Sequence, residues 1–208
     1  MLSDSVQSLE TGCFGLNANL EVVVCGSGLR TIKEGAFQRC TNLKEEKLNE
    51  GLVSLGTACF AECTALKSIE IPNTVTSVGY GSFFCCSALL NVTLPKNITK
   101  IEDFTFHNCE SLEPIVIPEG VTSLGYRSFG ANLKMTSVTL PKELVTIGGD
   151  AFCWNEALTT IYCKPVTPPT LPGSSHFTAS GKTIYVPAAS VAAYKEAWPD
   201  YADCIVSE

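Results

Sequence analysis

The sequence has no long apolar run, no cluster of basic residues and only two histidines among its 208 residues. Without an apolar stretch of about 18 residues, direct insertion into a membrane is not expected. The formal net charge is −7, so the chain lacks the basic surface by which proteins bind nucleic acid or anionic membranes. The first residues, MLSDSVQSLETG, have neither the basic start nor the apolar segment of a signal peptide, so we expect either a trimmed chain or a cytoplasmic protein.

Residues that could perform catalysis or bind a metal are also sparse. An active site needs titratable groups that converge, but His107 and His176 lie at unrelated positions, and His107 occupies a turn position typical of a surface residue. No C-x-x-C motif occurs, which argues against a structural zinc site. The GSG at 26–28 lacks the third glycine and the following helix of a dinucleotide site. We therefore expect no enzymatic activity, no metal and no cofactor.

What the sequence does have is a period of 23 residues that runs without insertion or deletion from Val6 to about residue 166. One position of the period is always phenylalanine: Phe14, Phe37, Phe60, Phe83, Phe106, Phe129 and Phe152. A second position is aliphatic: Leu9, Ile32, Leu55, Val78, Ile101, Leu124 and Ile147. A fixed period of this size is typical of a solenoid, in which each repeat buries its apolar face by stacking on its neighbours. Residues 6–166 thus form seven repeats, here called coils, from coil 1 (6–28) to coil 7 (144–166).

Each coil is expected to contain two short extended pieces and a sharp turn. Coil 4, VTSVGYGSFFCCSALLNVTLPKN, places inward apolar residues at Val92 and Leu94 and then reaches Pro95, which is typical of a short strand. A second extended piece is predicted at VTSV, and the glycine that follows it, Gly79 in this coil, indicates a sharp turn. Equivalent strands of successive coils would then stack about 4.8 Å apart in parallel.

Cysteine follows the phenylalanine by three residues in four successive coils: Cys40, Cys63, Cys86 and Cys109. Stacking brings these residues into one buried column, where cysteine acts as a small apolar residue with a weak S–H donor. Asn17, Asn132 and Asn155 occupy the same position in other coils, which predicts a slot that can hydrogen-bond a polar side chain. Column thiols are expected to be free, because a coil spacing of about 4.8 Å exceeds the Cβ separation of roughly 3.5–4.5 Å that a disulfide needs.

The template L-x-x-I-x-I-P-x-x-V-T-x-I-G-x-x-A-F-x-x-C-x-x, present as LKSIEIPNTVTSVGYGSFFCCSA at 66–88, resembles the BspA-like class of leucine-rich repeats. The resemblance covers about three quarters of the chain. It implies a right-handed leucine-rich-repeat solenoid of short parallel strands, mostly β and loop with little helix. It also implies a cell-surface or secreted protein, since relatives of this kind occur on gut and oral bacteria and some parasitic protists and several resemble adhesins for host proteins.

The two ends of the chain depart from the period. Residues 1–5 are expected to be an N-terminal tail that leaves coil 1 uncovered, which would favour self-association through the exposed edge or indicates missing upstream sequence. Residues 167–208 are expected to form a degenerate eighth coil, with Ile184 and Val186 in register, and a C-terminal cap. Apolar residues at helical spacing predict a cap helix at about 188–198, begun by Ser190 and stopped by Pro199.

One strand position breaks the apolar pattern. Glu46 lies where the other coils place an inward Ile or Val. Because a buried, unpaired carboxylate is costly, we expect the strand either to bulge or to let Glu46 reach solvent.

The remaining candidate site is the outward face of the main strands, here called the strand face. Alternation along each strand points small, mostly uncharged and hydroxyl-rich residues outward, and regular solenoid faces commonly bind partners. The candidate binding residues are Ser68, Glu70, Asn91, Thr93, Val116, Ser137, Thr139, Thr160 and Tyr162, with Pro114 in the same row. Tyr162 is the expected anchor because aromatic residues dominate contact energy. Alternatively, Ser and Thr are present only because they suit strand surfaces.

Three functions fit these observations. The first is a non-enzymatic binding or adhesion module, displayed outside the cell, that recognises a protein or glycan through the strand face. The second is a structural spacer that holds other domains apart. The third is an intracellular protein-interaction scaffold, which would account for the many thiols and the absent signal peptide.

Overall fold

The 23-residue period folds as a stack of coils that contribute strands to separate parallel ladders. The structure, a computed structural model, describes residues 1–173, 176–178 and 180–208. Its strands are, in chain order, β1 (Ser8–Leu9), β2 (Val22–Val24), β3 (Thr31–Ile32), β4 (Glu45–Lys47), β5 (Ser54–Leu55), β6 (Ser68–Glu70), β7 (Ser77–Val78), β8 (Asn91–Thr93), β9 (Lys100–Ile101), β10 (Ser123–Leu124), β11 (Ser137–Leu140), β12 (Thr146–Ile147), β13 (Thr160–Cys163), β14 (Thr183–Val186) and β15 (Ile205–Ser207). The helix α1 is Val191–Ala197. The chain is a parallel-strand β-solenoid of about nine turns.

The strands pair with the predicted register of 23 residues. Ile69 pairs with Val92 in the main-strand ladder, and Leu9 pairs with Ile32 in the short-strand ladder. The phenylalanine rings lie in line, with centroids 5.1 to 5.7 Å apart and interplanar angles of 2° to 17°. The predicted column is confirmed, and Phe177 of the eighth coil extends it by one ring.

The slot shared by cysteine and asparagine is built around a backbone carbonyl. The Sγ atoms of Cys63, Cys86 and Cys109 each donate to the carbonyl oxygen of the phenylalanine in the preceding coil, at 3.1 to 3.2 Å. Asn132 Nδ2 donates to the equivalent carbonyl, that of Phe106, at 3.0 Å. Burial raises the pKa of the three thiols, so they stay protonated. Among the residues that the structure describes, all the cysteines are free, as expected for the column.

A third ladder runs along the turns that carry the phenylalanines, and we call it the turn ladder. At the step from coil 4 to coil 5, for example, the N–H groups of Gly81, Phe83 and Cys85 donate to carbonyls of the next coil at 2.9 to 3.0 Å. Each of the seven coils has two residues with positive φ, four positions apart. The first of each pair is Gly12, Gly35, Ala58, Gly81, Phe104, Arg127 or Asp150, and the second is Leu16, Arg39, Glu62, Cys85, Asn108, Ala131 or Trp154.

The glycine that follows the short strand in coils 3, 4, 6 and 7 has a different role from the predicted one. Gly56, Gly79, Gly125 and Gly148 do not have positive φ, so the turn does not require them for conformational freedom. A Cβ added at these positions would instead lie 2.4 to 2.7 Å from backbone atoms of the preceding coil. Glycine is therefore needed for close approach between coils, and the sharp turn is made by residues further along.

The C-terminal segment covers the last coil. A 3₁₀ turn (Ala188–Ser190) leads into α1, which ends before Pro199, and a second 3₁₀ segment (Pro199–Cys204) leads into β15. The Tyr194 hydroxyl donates to the carbonyl of Pro165 at 2.8 Å, and both Tyr194 and Trp198 are buried. Ser190 is the N-cap residue of α1, as expected, but it makes no side-chain capping bond, because its hydroxyl donates to the carbonyl of Val166 at 2.7 Å. The sequence did not indicate β15, which pairs in parallel with β14.

Residues 1–5 lie against coil 1. The Leu2 N–H donates to the carbonyl of Val24 at 2.8 Å, and Asp4 Oδ1 accepts the N–H of Ser27 at 2.7 Å. The edge that was expected to be uncovered is thus partly covered, although Val22 on β2 remains 50% exposed.

Candidate binding surface

The structure brings the predicted binding residues together on one face, and none of them is buried. Ser68 and Glu70 lie beside Asn91 and Thr93 through the pairing of β6 with β8. In the C-terminal half, the pairing of β11 with β13 and an isolated bridge bring together Val116, Ser137, Thr139, Thr160 and Tyr162.

The strand face is interrupted between coils 4 and 5, and a groove opens there. Strand β8 pairs only with β6, whereas residue 116 of coil 5 bridges only to coil 6, so no strand ladder joins the two halves of the sheet. One N–H beside the gap, that of Glu113, still donates to the carbonyl of Leu90 at 3.1 Å. The cavity between them has a volume of about 660 Å³. Pro114 lies at the start of the coil 5 strand, at the position of Asn91 and Ser137. Because proline has no N–H to donate, the ladder cannot continue through it.

The floor of the groove is aliphatic and its rim is charged. Val116 is 80% exposed, and Val92 is partly exposed although its equivalents Ile69 and Val138 are buried. At the rim, Lys164 Nζ lies 3.0 Å from Glu119 Oε1, and this hydrogen bond lowers the pKa of Glu119. Candidate residues that line the groove are Asn91, Thr93, Pro114, Val116 and Thr139. The alternation along the strands predicts these residues in a row but does not predict the gap, for which Pro114 was the available signal.

A second interruption lies between β4 and β6, at Glu46. Strand β4 pairs with β2 in regular register, so the predicted bulge is wrong. The Glu46 side chain is partly exposed, as the other alternative expected, yet its Oε2 atom is buried and lacks a hydrogen-bond partner among the described residues. Burial, with a contribution from the nearby carboxylate of Glu70, raises the pKa of Glu46 to about 8. A cavity of about 200 Å³ lies between these two carboxylates.

The predicted anchor, Tyr162, is half of an aromatic pair. Its ring stacks on that of Tyr185 with centroids 5.1 Å apart and an interplanar angle of 17°. Tyr185 was missed, although it follows Tyr162 by 23 residues and therefore occupies the same position in the eighth coil. The pair extends the strand face toward the C-terminus.

No group of three or more His, Cys, Asp or Glu side chains among the described residues is arranged to hold a metal ion. His107, expected as a surface residue, is instead half-buried, and its ring stacks on Phe84 with centroids 5.7 Å apart. Burial and the nearby guanidinium of Arg127 lower the pKa of His107.

A stacked solenoid with a regular, grooved strand face defines a class of repeat scaffold built to present binding surfaces. The chain belongs to the family described as BspA type leucine rich repeat region, whose model matches residues 1–113 and 81–187. The resemblance drawn from the 23-residue template is therefore confirmed. Members of this family are generally non-enzymatic binding scaffolds and are often cell-surface adhesion proteins.

Solved structures of bacterial leucine-rich repeat proteins have the same architecture. The T. pallidum leucine rich repeat protein TpLRR is 27% identical, with a TM-score of 0.71, and the match covers 74% of this chain and 72% of that one. A leucine-rich repeat protein from Bacteroides ovatus is 20% identical, with a TM-score of 0.59, over 87% of this chain and 59% of that one. No curated protein matches the chain. The helix that the structure describes is too short to cross a membrane.

Proposed function

We propose that this chain is a non-enzymatic binding module, displayed at the cell surface, that holds a partner protein in the groove of the strand face. The observation that carries the proposal is the gap of about 660 Å³ at Pro114, which exposes aliphatic side chains on an otherwise polar face. Concave sites of this size with a few polar groups at the rim are the usual places where ligands bind. Family membership supports the same class of function.

The chemistry of the groove favours a protein over a glycan at this site. Its floor is formed by Val92, Ile115, Val116 and Ile117, which are aliphatic, and no aromatic side chain is among the described residues that line it. Apolar side chains of a partner would remove this surface from water, while Asn91, Thr93 and the charged rim would fix its orientation. Lys96 and Glu113 also line the groove and allow charge pairs with the partner, although exposed pairs add little affinity.

The proposal is tested by comparing two valine substitutions. Val116→Asp places a charge on the groove floor, and Val145→Asp is the control, since Val145 is 61% exposed and does not line the groove. Both variants and the parent chain would be titrated against a panel of purified extracellular-matrix proteins by surface plasmon resonance. We expect Val116→Asp to weaken binding about tenfold or more and Val145→Asp to leave it unchanged.

The same panel separates the alternative functions. A structural spacer would bind no matrix protein, and an intracellular scaffold would bind proteins of a cytosolic panel in preference to matrix proteins. Equal affinity of both valine variants would show that the partner uses another surface. The proposed self-association through coil 1 would appear as a concentration-dependent mass that Val22→Lys abolishes, because Val22 is the exposed apolar residue of that edge.

A further inference from the structure

The step from coil 4 to coil 5 is closed on its turn side by a cluster of four rings. Tyr80 and Phe84 of coil 4 meet Phe104 and His107 of coil 5, and we call these four residues the junction cluster. The ring centroids of Tyr80 and Phe104 are 5.5 Å apart, those of Phe84 and Phe104 are 6.3 Å apart, and those of Phe84 and His107 are 5.7 Å apart. The cluster therefore joins, through side chains, two coils whose strands do not pair with each other.

The cluster lies where strand pairing is lost. At the step from coil 3 to coil 4, both strand ladders are intact, since β5 pairs with β7 and β6 pairs with β8. The positions of Tyr80 and Phe84 are filled in coil 3 by Thr57 and Ala61, which bring no ring to that step. We therefore expect the junction cluster to contribute much of the stability of the interface between coils 4 and 5.

His107 is the member of the cluster that can take up a proton near neutral pH. Its Nδ1 atom is buried and has no hydrogen-bond partner among the described residues. A Cβ added at Gly130 would lie 2.7 Å from this atom, so the ring lies directly on the backbone of coil 6. In the neutral ring, Nδ1 is an unused acceptor. Protonation would convert it into a charged N–H donor without an acceptor, which costs more free energy.

The groups around His107 do not compensate a positive charge. Phe84 and Phe104 are uncharged, and the stacked face of Phe84 attracts a cation only weakly. The guanidinium of Arg127, from coil 6, repels a cation, and the carboxylate of Asp150 already accepts a hydrogen bond from Arg127 at 3.2 Å. Burial and, after it, the charge of Arg127 lower the pKa of His107 from its usual value of 6.5.

The other groups of coil 7 near the ring are uncharged. The centroid of the Trp154 ring lies 6.1 Å from that of His107. The Sγ atom of Cys153 lies 3.1 Å from the position of a Cβ at Gly130, and burial raises the pKa of this thiol, so it stays neutral. The neutral imidazole is thus the form that the closed junction favours.

The closed junction and an open one consequently differ in their affinity for a proton. Above pH 6.5 the ring is neutral in both, and the contacts of the cluster are fully present. As the pH falls below 6.5, an exposed histidine takes up a proton that the buried ring does not accept, so the closed junction loses stability relative to the open one.

We infer that His107 is an acid-sensitive switch: its protonation separates its ring from Phe84, loosens coil 4 from coil 5 and releases the partner from the groove. The groove lies between the main strands of the same two coils, so its shape depends on how firmly the junction is held. Release of the partner rests on the function proposed for the groove, whereas loosening of the junction does not.

Hydrogen exchange measured by NMR tests the loosening without any partner. The N–H groups of Gly81, Phe83 and Cys85 donate to carbonyls of coil 5 and report on the junction. Between pH 7.5 and pH 5.0, after correction for the intrinsic exchange rate, we expect their protection to fall at least about fivefold. The N–H of Phe37, which donates to the carbonyl of Cys59 at 2.8 Å in a distant step of the same ladder, should lose no protection.

Two variants of His107 remove the proton site. His107→Phe keeps a ring that can stack on Phe84, and His107→Gln introduces the residue type that coil 2 has at this position, Gln38. In both variants the protection of the three junction N–H groups should be the same at pH 7.5 and pH 5.0. His176→Gln is the matched control, because His176 is the other buried histidine and lies in the eighth coil, so this variant should respond to pH as the parent does.

Two results would overturn the inference. One is equal protection of the junction N–H groups at both pH values in the parent chain. The other is a pH response that persists in His107→Phe and His107→Gln.

Partner release is measured separately, by repeating the matrix-protein titration at pH 5.0. We expect the affinity of the parent to fall at least about threefold and that of His107→Phe to stay constant. An equal fall in both chains would contradict a role of His107 in release. A parent that binds no matrix protein at either pH would contradict the groove proposal and leave the exchange result standing.

Discussion

At the scale of the residue, the slot after each phenylalanine shows how one backbone group can accept two chemically different side chains. The carbonyl of the preceding coil needs a donor, and both the cysteine thiol and the asparagine amide supply one. Asn132 does more than cysteine does, because its Oδ1 also accepts the N–H of Cys109 at 3.0 Å. Cysteine and asparagine can therefore replace each other in the slot, because both reach the same carbonyl. Asparagine makes one hydrogen bond more, since its side chain also has an acceptor oxygen.

Substitution of Asn132 tests this account. Asn132→Ala should lower the free energy of unfolding by about 2 to 4 kcal/mol, because it leaves the buried Phe106 carbonyl and Cys109 N–H without partners. Asn132→Cys should cost less, since the thiol restores the bond to the carbonyl as in coils 2 to 5. Urea denaturation followed by circular dichroism measures both. Equal losses for the two variants would mean that a thiol bond to the carbonyl does not stabilise the slot.

Glu46 gives a second prediction, in which stability depends on pH. Its pKa is about 8 in the fold against a usual value of 4.5, so the folded state favours the protonated form. The contribution of this proton is fully present below pH 4.5 and is lost as the pH rises toward 8. Glu46→Val, which restores the residue type of the other coils, should therefore raise the free energy of unfolding by about 1 to 3 kcal/mol above pH 8.

The advantage of Glu46→Val should shrink as the pH is lowered from 8 to 4.5, and thermal melts across this range would show it. Glu45→Val is a matched control, because Glu45 is exposed on the same strand. A difference between the Glu46 variant and the parent that does not change with pH would contradict the explanation by a buried carboxyl.

At the scale of the element, one proline lies where the main-strand ladder opens between coils 4 and 5. Coils 3, 4 and 6 have Ser68, Asn91 and Ser137 at the position of Pro114, and each of these residues lies in a paired strand. Proline withholds one N–H, and the main strand of coil 5 is then bridged only to coil 6. The groove is therefore a local consequence of one residue rather than a property of the repeat.

Pro114→Ser should close the groove. The restored N–H allows coil 5 to pair with β8, so we expect a gain of about 0.5 to 1.5 kcal/mol in stability and a loss of partner binding. Denaturation and the matrix-protein titration measure the two effects on the same sample. Pro72→Ser is the control, since Pro72 follows the main strand of coil 3 and does not line the groove. A higher free energy of unfolding with unchanged affinity for the matrix protein would show that the partner does not bind in the groove.

At the scale of the whole molecule, the junction between coils 4 and 5 is the weakest step of the stack. Both strand ladders are interrupted there. The turn ladder and the phenylalanine column continue across it, with two further backbone bonds, from the N–H of Glu113 to Leu90 and from that of Ser111 to Ser87. In a solenoid, the free energy of unfolding is close to a sum of one contribution from each coil and one from each interface between neighbouring coils. A weak interface between coils 4 and 5 would let coils 1 to 4 and coils 5 to 8 unfold as two separate cooperative units.

Hydrogen exchange should show this division. The N–H groups of Thr122 and Gly125 donate to coil 5 at 2.9 and 2.8 Å, whereas the equivalent N–H groups of Thr99 and Glu102 have no such bond to coil 4 among the described residues. We expect Thr99 and Glu102 to exchange at least about tenfold faster, as measured by NMR. Uniform protection along the short strands would show that the junction is as strong as the others.

The 23-residue period by itself determined the solenoid, because a fixed spacing of phenylalanine, leucine and cysteine can be buried only when every coil repeats the same path. It also placed Tyr162 and the other outward residues on one face. The tertiary structure decided what depends on neighbouring coils: the gap that Pro114 leaves, the burial of one Glu46 oxygen and the added strand β15. It also decided the contact between Tyr80 and Phe104, which fall at different positions of the repeat and meet only because the coils stack.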